Sequence, residues 1–226
     1  MYKSIFFSIV ALFVCISSIN SQTSAKTETS DPKAKGILDK LKEKYDKATS
    51  IKAQFKLTSE YPDQKPDTKT GTMLQKGEKY NLSLTPYQMI CDGTTLWVVN
   101  SKTKETQINS ASASKSDKIL SPQQVLKLYQ TGEYIYLLTF DGKKGAKNIQ
   151  EIEFKPVSKK SEYSKLRVTI DKTSGQINEV KAFGKDGSRH TLAITSVNMK
   201  EVIAASAFKY DSAKYPGYHV EDLRID

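Results

Sequence analysis

The chain has 226 residues, with 35 Lys and Arg against 25 Asp and Glu, and a formal net charge of +10 at pH 7. Two cysteines and two histidines are too few for a disulfide framework or a zinc cluster of the usual ligands. The basic excess suits anionic surfaces or acidic partners, and no helix-turn-helix, zinc-finger spacing or aromatic-basic motif points to nucleic acid.

Residues 1–21 read as a secretory signal peptide. Lys3 gives a positive start, an apolar run follows from Ile5 to Ile16, and Ser17, Ser18, Asn20 and Ser21 make a small polar exit, with cleavage expected between Ser21 and Gln22. The run is too short to favour a membrane span. Cys15 raises the rival reading of a lipid anchor, although Val14 before it is not small. Cleavage removes Lys3 and no acid, so +10 becomes +9. Cys91 is then the last cysteine, read as a small buried hydrophobe rather than a reactive thiol.

Residues 22–30 form a polar, disordered linker, and 31–226 a single domain. Asp31 and Pro32 look like an N-cap and first helical position, followed by Ile37, Leu38, Leu41, Tyr45 and Ala48 on one face of a lysine-rich helix. From Ser50 the period changes to two: Ile51, Ala53, Phe55 and Leu57 predict a half-buried strand. Gly71–Asn100 then predicts four short strands, Gly71–Lys76, one through Tyr80, Leu82 and Leu84, Gln88–Cys91 and Thr94–Asn100, the last two joined by an Asp92-Gly93 hairpin turn. Another strand is expected at Lys104–Asn109, and a flexible loop at Ala111–Lys118. Ser121-Pro122 opens a second helix carrying Val125, Leu126 and Tyr129 and ending near Gly132.

A strand through Tyr134, Tyr136, Leu138 and Phe140 leads to a turn crowded by Lys143, Lys144 and Lys147. A meander follows through Ile152 and Phe154, then Leu166, Val168 and Ile170, then Ile177–Phe183, then His190, Leu192 and Ile194. The tail holds Val202, Phe208, Tyr210 and Pro216-Gly217. The expected fold is mainly β (α+β), a curled antiparallel sheet of about eleven strands closed by two or three helices.

Nothing recommends catalysis. His190 and His219 lack partners at ligand spacing, and no nucleophile elbow, phosphate loop or dinucleotide fingerprint occurs. Glu151 and Glu153 read as the solvated face of a strand. No catalytic residue, metal or cofactor is therefore expected. The apolar faces are the candidate site: Phe55, Leu57, Met73, Leu82, Leu84, Trp97, Phe154, Val168, Ile170, Phe183 and Ile194, or their neighbours one residue along, line either a filled core or an acyl-chain cavity.

The ordered features, Ile37-Leu38…Leu41…Tyr45, Ser50–Phe55, Gly71–Lys76, Asp92-Gly93…Leu96-Trp97, Ser121-Pro122, Phe208 and Pro216-Gly217, resemble the periplasmic carriers of outer-membrane lipoproteins, the LolA-like family, over about residues 33–222. The resemblance implies an incomplete barrel with a helical lid and an apolar hollow for acyl chains. It also implies a monomeric periplasmic carrier that takes lipoproteins from an inner-membrane ABC transporter to an outer-membrane acceptor. A lipid or glycolipid carrier, or a lipid-sensing envelope-stress module on the same fold, is the alternative. A family arginine that latches the lid falls at Lys76, which lacks the planar fork of arginine.

Overall fold

The computed structural model describes residues 29–111 and 122–224. The expected signal peptide, most of the expected linker, the expected loop beyond Ala111, and Ser121 lie outside the described residues.

Helix α1 spans Pro32–Asp46. The extended Asp31 caps it, its carboxylate accepting from the Lys33 amide at 2.8 Å, with Pro32 in the first turn. Ala34, Leu38, Leu41 and Tyr45 recur at helical spacing and are buried together. Six strands follow: β1 (Ile51–Glu60), β2 (Asp67–Lys76), β3 (Lys79–Leu84), β4 (Tyr87–Cys91), β5 (Thr95–Asn100) and β6 (Glu105–Ser110). Each pairs with the next as an antiparallel hairpin. Strand β2 starts at Asp67, four residues before the predicted Gly71, because it matches the full length of β1 down to Ser59. At the β4–β5 turn the Asp92 carboxylate accepts from the Thr94 and Thr95 amides, and Gly93 takes φ +102°, a region closed to most side chains.

Helix α2 (Pro122–Thr131) ends at Gly132, with φ +74°. The chain then runs back as β7 (Tyr134–Lys144), β8 (Lys147–Pro156), β9 (Tyr163–Asp171), β10 (Gln176–Gly184) and β11 (Arg189–Asn198). Lys143, Lys144 and Lys147 belong to the ends of β7 and β8, and Gly145 alone supplies the left-handed turn conformation at φ +62°. A short β12 (His219–Asp222) pairs parallel with β6.

The result is one sheet in the order β12-β6-β5-β4-β3-β2-β1-β11-β10-β9-β8-β7, twelve strands rather than the expected eleven. Two antiparallel meanders meet where β1 pairs β11. The sheet stays open, as a half-barrel with both helices on one face. Its curl has a local source. Thr139 of β7, Ser164 of β9, Asn178 of β10 and Thr195 of β11 are each an extra residue against the facing strand, and such bulges bend and twist a strand. Thr139 and Ser164 hydroxyls donate to the carbonyls of Glu151 and Phe183, so side chains serve acceptors where the ladder is broken.

Candidate functional site

Cross-strand register defines an apolar inner face beneath the helices. One row runs Leu138–Ile152–Val168–Val180–Leu192–Leu57 from β7 to β1. Another runs Ala53–Met73–Leu82–Met89–Val98 from β1 to β5. Apart from Val98, these side chains belong to or pack against a single cluster that includes Leu38, Leu41 and Tyr45 of α1 and Val125, Leu126 and Tyr129 of α2.

Nine of the eleven expected lining residues are in this cluster: Phe55, Leu57, Met73, Leu82, Leu84, Phe154, Val168, Ile170 and Ile194. Phe154, Val168 and Ile170 are closed off, whereas Leu57 and Ile194 are half-buried. Phe55 explains Gly71. A Cβ on Gly71 would stand 2.4 Å from the Phe55 ring and 2.7 Å from the Ser83 carbonyl, so the ring occupies the space a side chain would need.

Trp97 and Phe183 are corrections. Trp97 pairs with Ile90 and Ile108, out of phase with Val98, and stacks at 8° on Tyr210 with ring centres 5.8 Å apart. Phe183 lies under three cations, Lys165, Arg167 and Lys181, at 5.0, 5.6 and 5.8 Å. Both occupy the outer face, and their neighbours Val98 and Ala182 take the inner one. The tail covers Trp97's side of the sheet. Phe208 is buried, Asn81 donates to the Ala207 carbonyl at 2.7 Å, and the Tyr215 hydroxyl donates to Gln88 at 2.7 Å.

Lys76 is also misplaced as a latch. It is exposed, pairs with Lys79 and shares the outer face with Leu74 and Asn81. The contact from this turn to the helices comes from Glu78, 3.8 Å from Lys127 of α2. Glu151 and Glu153 are not solvated acids either. Lys144 binds Glu151 at 3.0 Å, and Lys165 and Arg167 converge on Glu153 at 3.0 and 2.6 Å. Burial works against the charge on Glu153, yet the Arg167 and Lys165 bonds outweigh it and hold its carboxyl below the usual range.

The ties that position the helices escaped the sequence reading. The Asp31 amide donates to the Tyr136 carbonyl at 2.9 Å, adding a backbone contact at the free edge of β7. The Tyr45 hydroxyl accepts from the Ile177 amide at 3.4 Å, and burial pushes this phenol up to about 12. Between the helices, the Tyr129 hydroxyl donates to Asp39 at 3.0 Å. Burial, then the Asp39 carboxylate, pushes Tyr129 up to about 12, and bonds from Lys35 and Tyr129 hold Asp39 below its usual range. A tyrosine on an apolar stripe was the available signal, since its hydroxyl needs a partner when buried. Tyr129 also meets Tyr136 edge-on at 5.9 Å, and Tyr136 meets Phe154 at 5.9 Å, an aromatic run from α2 into the sheet.

Cys91 is buried, which pushes its thiol up, away from reactivity. His190 contacts Ser59 at 3.0 Å and Tyr61 edge-on, a structural setting. Among the described residues, no group of three His, Cys, Asp or Glu could hold a metal ion, and no helix is long and apolar enough to cross a membrane.

A search of curated proteins by sequence gives no match. Among solved structures, an uncharacterized conserved protein of Thermus thermophilus superposes with a TM-score of 0.55 at 11% identity, covering 84% of this chain and 99% of that one. The LolA superfamily protein NE2245 of Nitrosomonas europaea gives 0.43 at 14%, covering 78% and 97%. The lipoprotein LppX of Mycobacterium tuberculosis gives 0.46 at 10%, covering 76% and 98%. At 11% identity the likeness to the Thermus thermophilus protein is one of fold. The family model for the outer membrane lipoprotein carrier protein LolA matches residues 46–211, from the end of α1 through β1–β11 to the tail, and the chain belongs to that family.

Proposed function

We propose that this protein is a non-catalytic periplasmic carrier that receives lipoprotein acyl chains on its inner face, takes them from an inner-membrane ABC transporter and hands them to an outer-membrane acceptor. The observation that carries the reading is the pair of apolar rows running from β7 to β5 under two helices, in a chain of the LolA family. Apolar contact suits carriage. At about 0.8 kcal/mol per buried methylene, a chain of about fourteen methylenes would cost roughly 11 kcal/mol to leave in water. Non-directional contact offsets that cost and still permits release without a covalent step.

Native mass spectrometry of protein purified from the periplasm tests the reading. Triacylated lipoprotein bound to the wild type, and release of lipoproteins from spheroplasts on adding the protein, are the expected results. A folded Leu82→Gln variant should load several-fold less. Bound phospholipid or glycolipid without lipoprotein would assign a lipid carrier instead, and no release together with no bound lipid would sink the proposal.

A further inference from the structure

A group of lysines lies together at one corner of the molecule. Lys33, Lys40 and Lys44 of α1, with Lys47 at its C-cap, fall within one arc by the 3.6-residue period. The other flank mixes signs, with Lys35 bound to Asp39 at 2.8 Å and Lys42 bound to Asp46, and it turns toward α2 through Tyr129. The lysine flank turns toward the sheet's β7–β8 and β9–β10 turns. Lys44 donates to the Ser174 carbonyl in the second of these. Asp141 at the end of β7 is held ionised by its bond to Lys172 first, then by Gln150, with Lys33 near enough to add to the effect.

The two turns carry four more lysines. Lys143, Lys144 and Lys147 flank the first, and Lys172 sits in the second, its amide donating to the Asn148 carbonyl at 2.9 Å. Eight lysines thus adjoin four carboxylates, all already engaged. Glu43 holds Lys47 at 2.6 Å, Glu151 holds Lys144 at 3.0 Å, Asp141 holds Lys172 and Gln150, and Asp171 accepts from the Thr173 and Ser174 amides.

We infer that this lysine corner docks the protein on the anionic headgroup surface of a lipid bilayer. Every cation in it is lysine, a hydrated point charge on a flexible stem, suited to a diffuse field of phosphates and not to the bidentate grip of one carboxylate. The corner spans the end of the β7–β8 hairpin, the adjacent β9–β10 turn and a helix flank. It also borders α1, so docking brings the edge of the apolar face against the bilayer. The inference concerns the empty protein and does not rest on the nature of its cargo.

The test is co-sedimentation of the cargo-free protein with vesicles of phosphatidylcholine, with and without phosphatidylglycerol. Wild type should sediment only with the anionic vesicles at about 0.1 M salt and be released as salt rises. Replacing Lys33, Lys40, Lys143 and Lys147 by Gln should weaken binding at least about tenfold, since each lysine at such a surface contributes roughly fivefold. A second quadruple variant with the same charge change, Lys65, Lys102, Lys159 and Lys160 to Gln in loops at the opposite end of the strands, should lose less than about threefold. Circular dichroism checks that both fold. Equal losses in the two variants would make net charge the cause and overturn the inference, as would wild type that ignores the anionic vesicles. Retention on poly-L-glutamate with no vesicle binding would put an acidic polypeptide in place of the bilayer.

Discussion

The two helices over the apolar face are both buried on their inner sides, yet they are held differently. Helix α1 is tied at both ends. Asp31 bonds β7 through its amide to Tyr136 and its carboxylate to the Leu138 amide, and at the other end Tyr45 meets Ile177 and Lys44 meets Ser174. Among the described residues, the polar ties from helix α2 to the rest of the fold are the Tyr129–Asp39 bond and the exposed Lys127–Glu78 pair at 3.8 Å. One half of the cover is therefore built into the fold and the other is a leaf laid on it. Local opening follows the elements with the fewest buried ties, so α2 is expected to lift before α1.

Equivalent truncations in the two helices give the largest contrast. Leu38 is 0% exposed and Leu126 is 2% exposed. Leu38→Ala should cost about 2–5 kcal/mol of global stability in urea titration. Leu126→Ala should cost less globally, because α2 can lift without unfolding the sheet, and should instead speed release of a bound acyl probe. Equal losses of global stability would break the contrast and make α2 part of the core.

Alkaline titration separates the helices next. Tyr45 and Tyr129 are both pushed from 10.0 up to about 12 in the folded chain. A phenol with a raised folded pKa keeps its proton more tightly in the native state. Its contribution is complete below pH 10 and is lost as pH rises from about 10 to about 12, where the unfolded chain ionises first. Stability of the wild type should fall across that window, and Tyr45→Phe should flatten part of the slope in urea midpoints. Tyr129→Phe should leave the global slope steeper than Tyr45→Phe does, since Tyr129 guards a local opening.

Much of this architecture was readable beforehand because strand alternation and turn chemistry are local. Asp31-Pro32 fixed the start of α1, Asp92-Gly93 the β4–β5 hairpin, and Leu82 and Leu84 their shared inner face. What escaped depends on distant chain. Trp97 and Phe183 obey the same alternation as Phe55, and only the packing of the tail on one and of three cations on the other puts them outside. The bulges at Thr139, Ser164, Asn178 and Thr195 shift the phase in the second meander without any glycine to mark them. The parallel pairing of β12 needs β6, more than a hundred residues earlier, and four exposed residues leave no apolar pattern. Lys76 failed as a latch for a simpler reason. A one-residue change of phase on a strand sends a side chain to the opposite face.

Removing one hydroxyl tests the tie between the helices with a smaller effect. Tyr129→Phe keeps the ring against Tyr136 and deletes only the bond to Asp39. Amide exchange in α2 should speed several-fold while exchange at Leu38 and Leu41 is unchanged. Faster exchange in both helices alike would mean that they move as one lid.

The smallest effect belongs to the Lys127–Glu78 pair. Its side chains are 67% and 82% exposed and stand 3.8 Å apart, so water screens most of the attraction, and ordering two long side chains offsets the remainder. Glu78→Gln should leave the unfolding midpoint unmoved. If the pair acts as a catch on the leaf, the variant should still raise the release rate of an acyl probe slightly at low salt, and this difference should vanish at high salt, where the wild-type pair is screened too. A salt-independent change would assign the effect to lost side-chain packing at the β2–β3 turn. No change at either salt would leave Tyr129 as the polar tie that decides when α2 lifts.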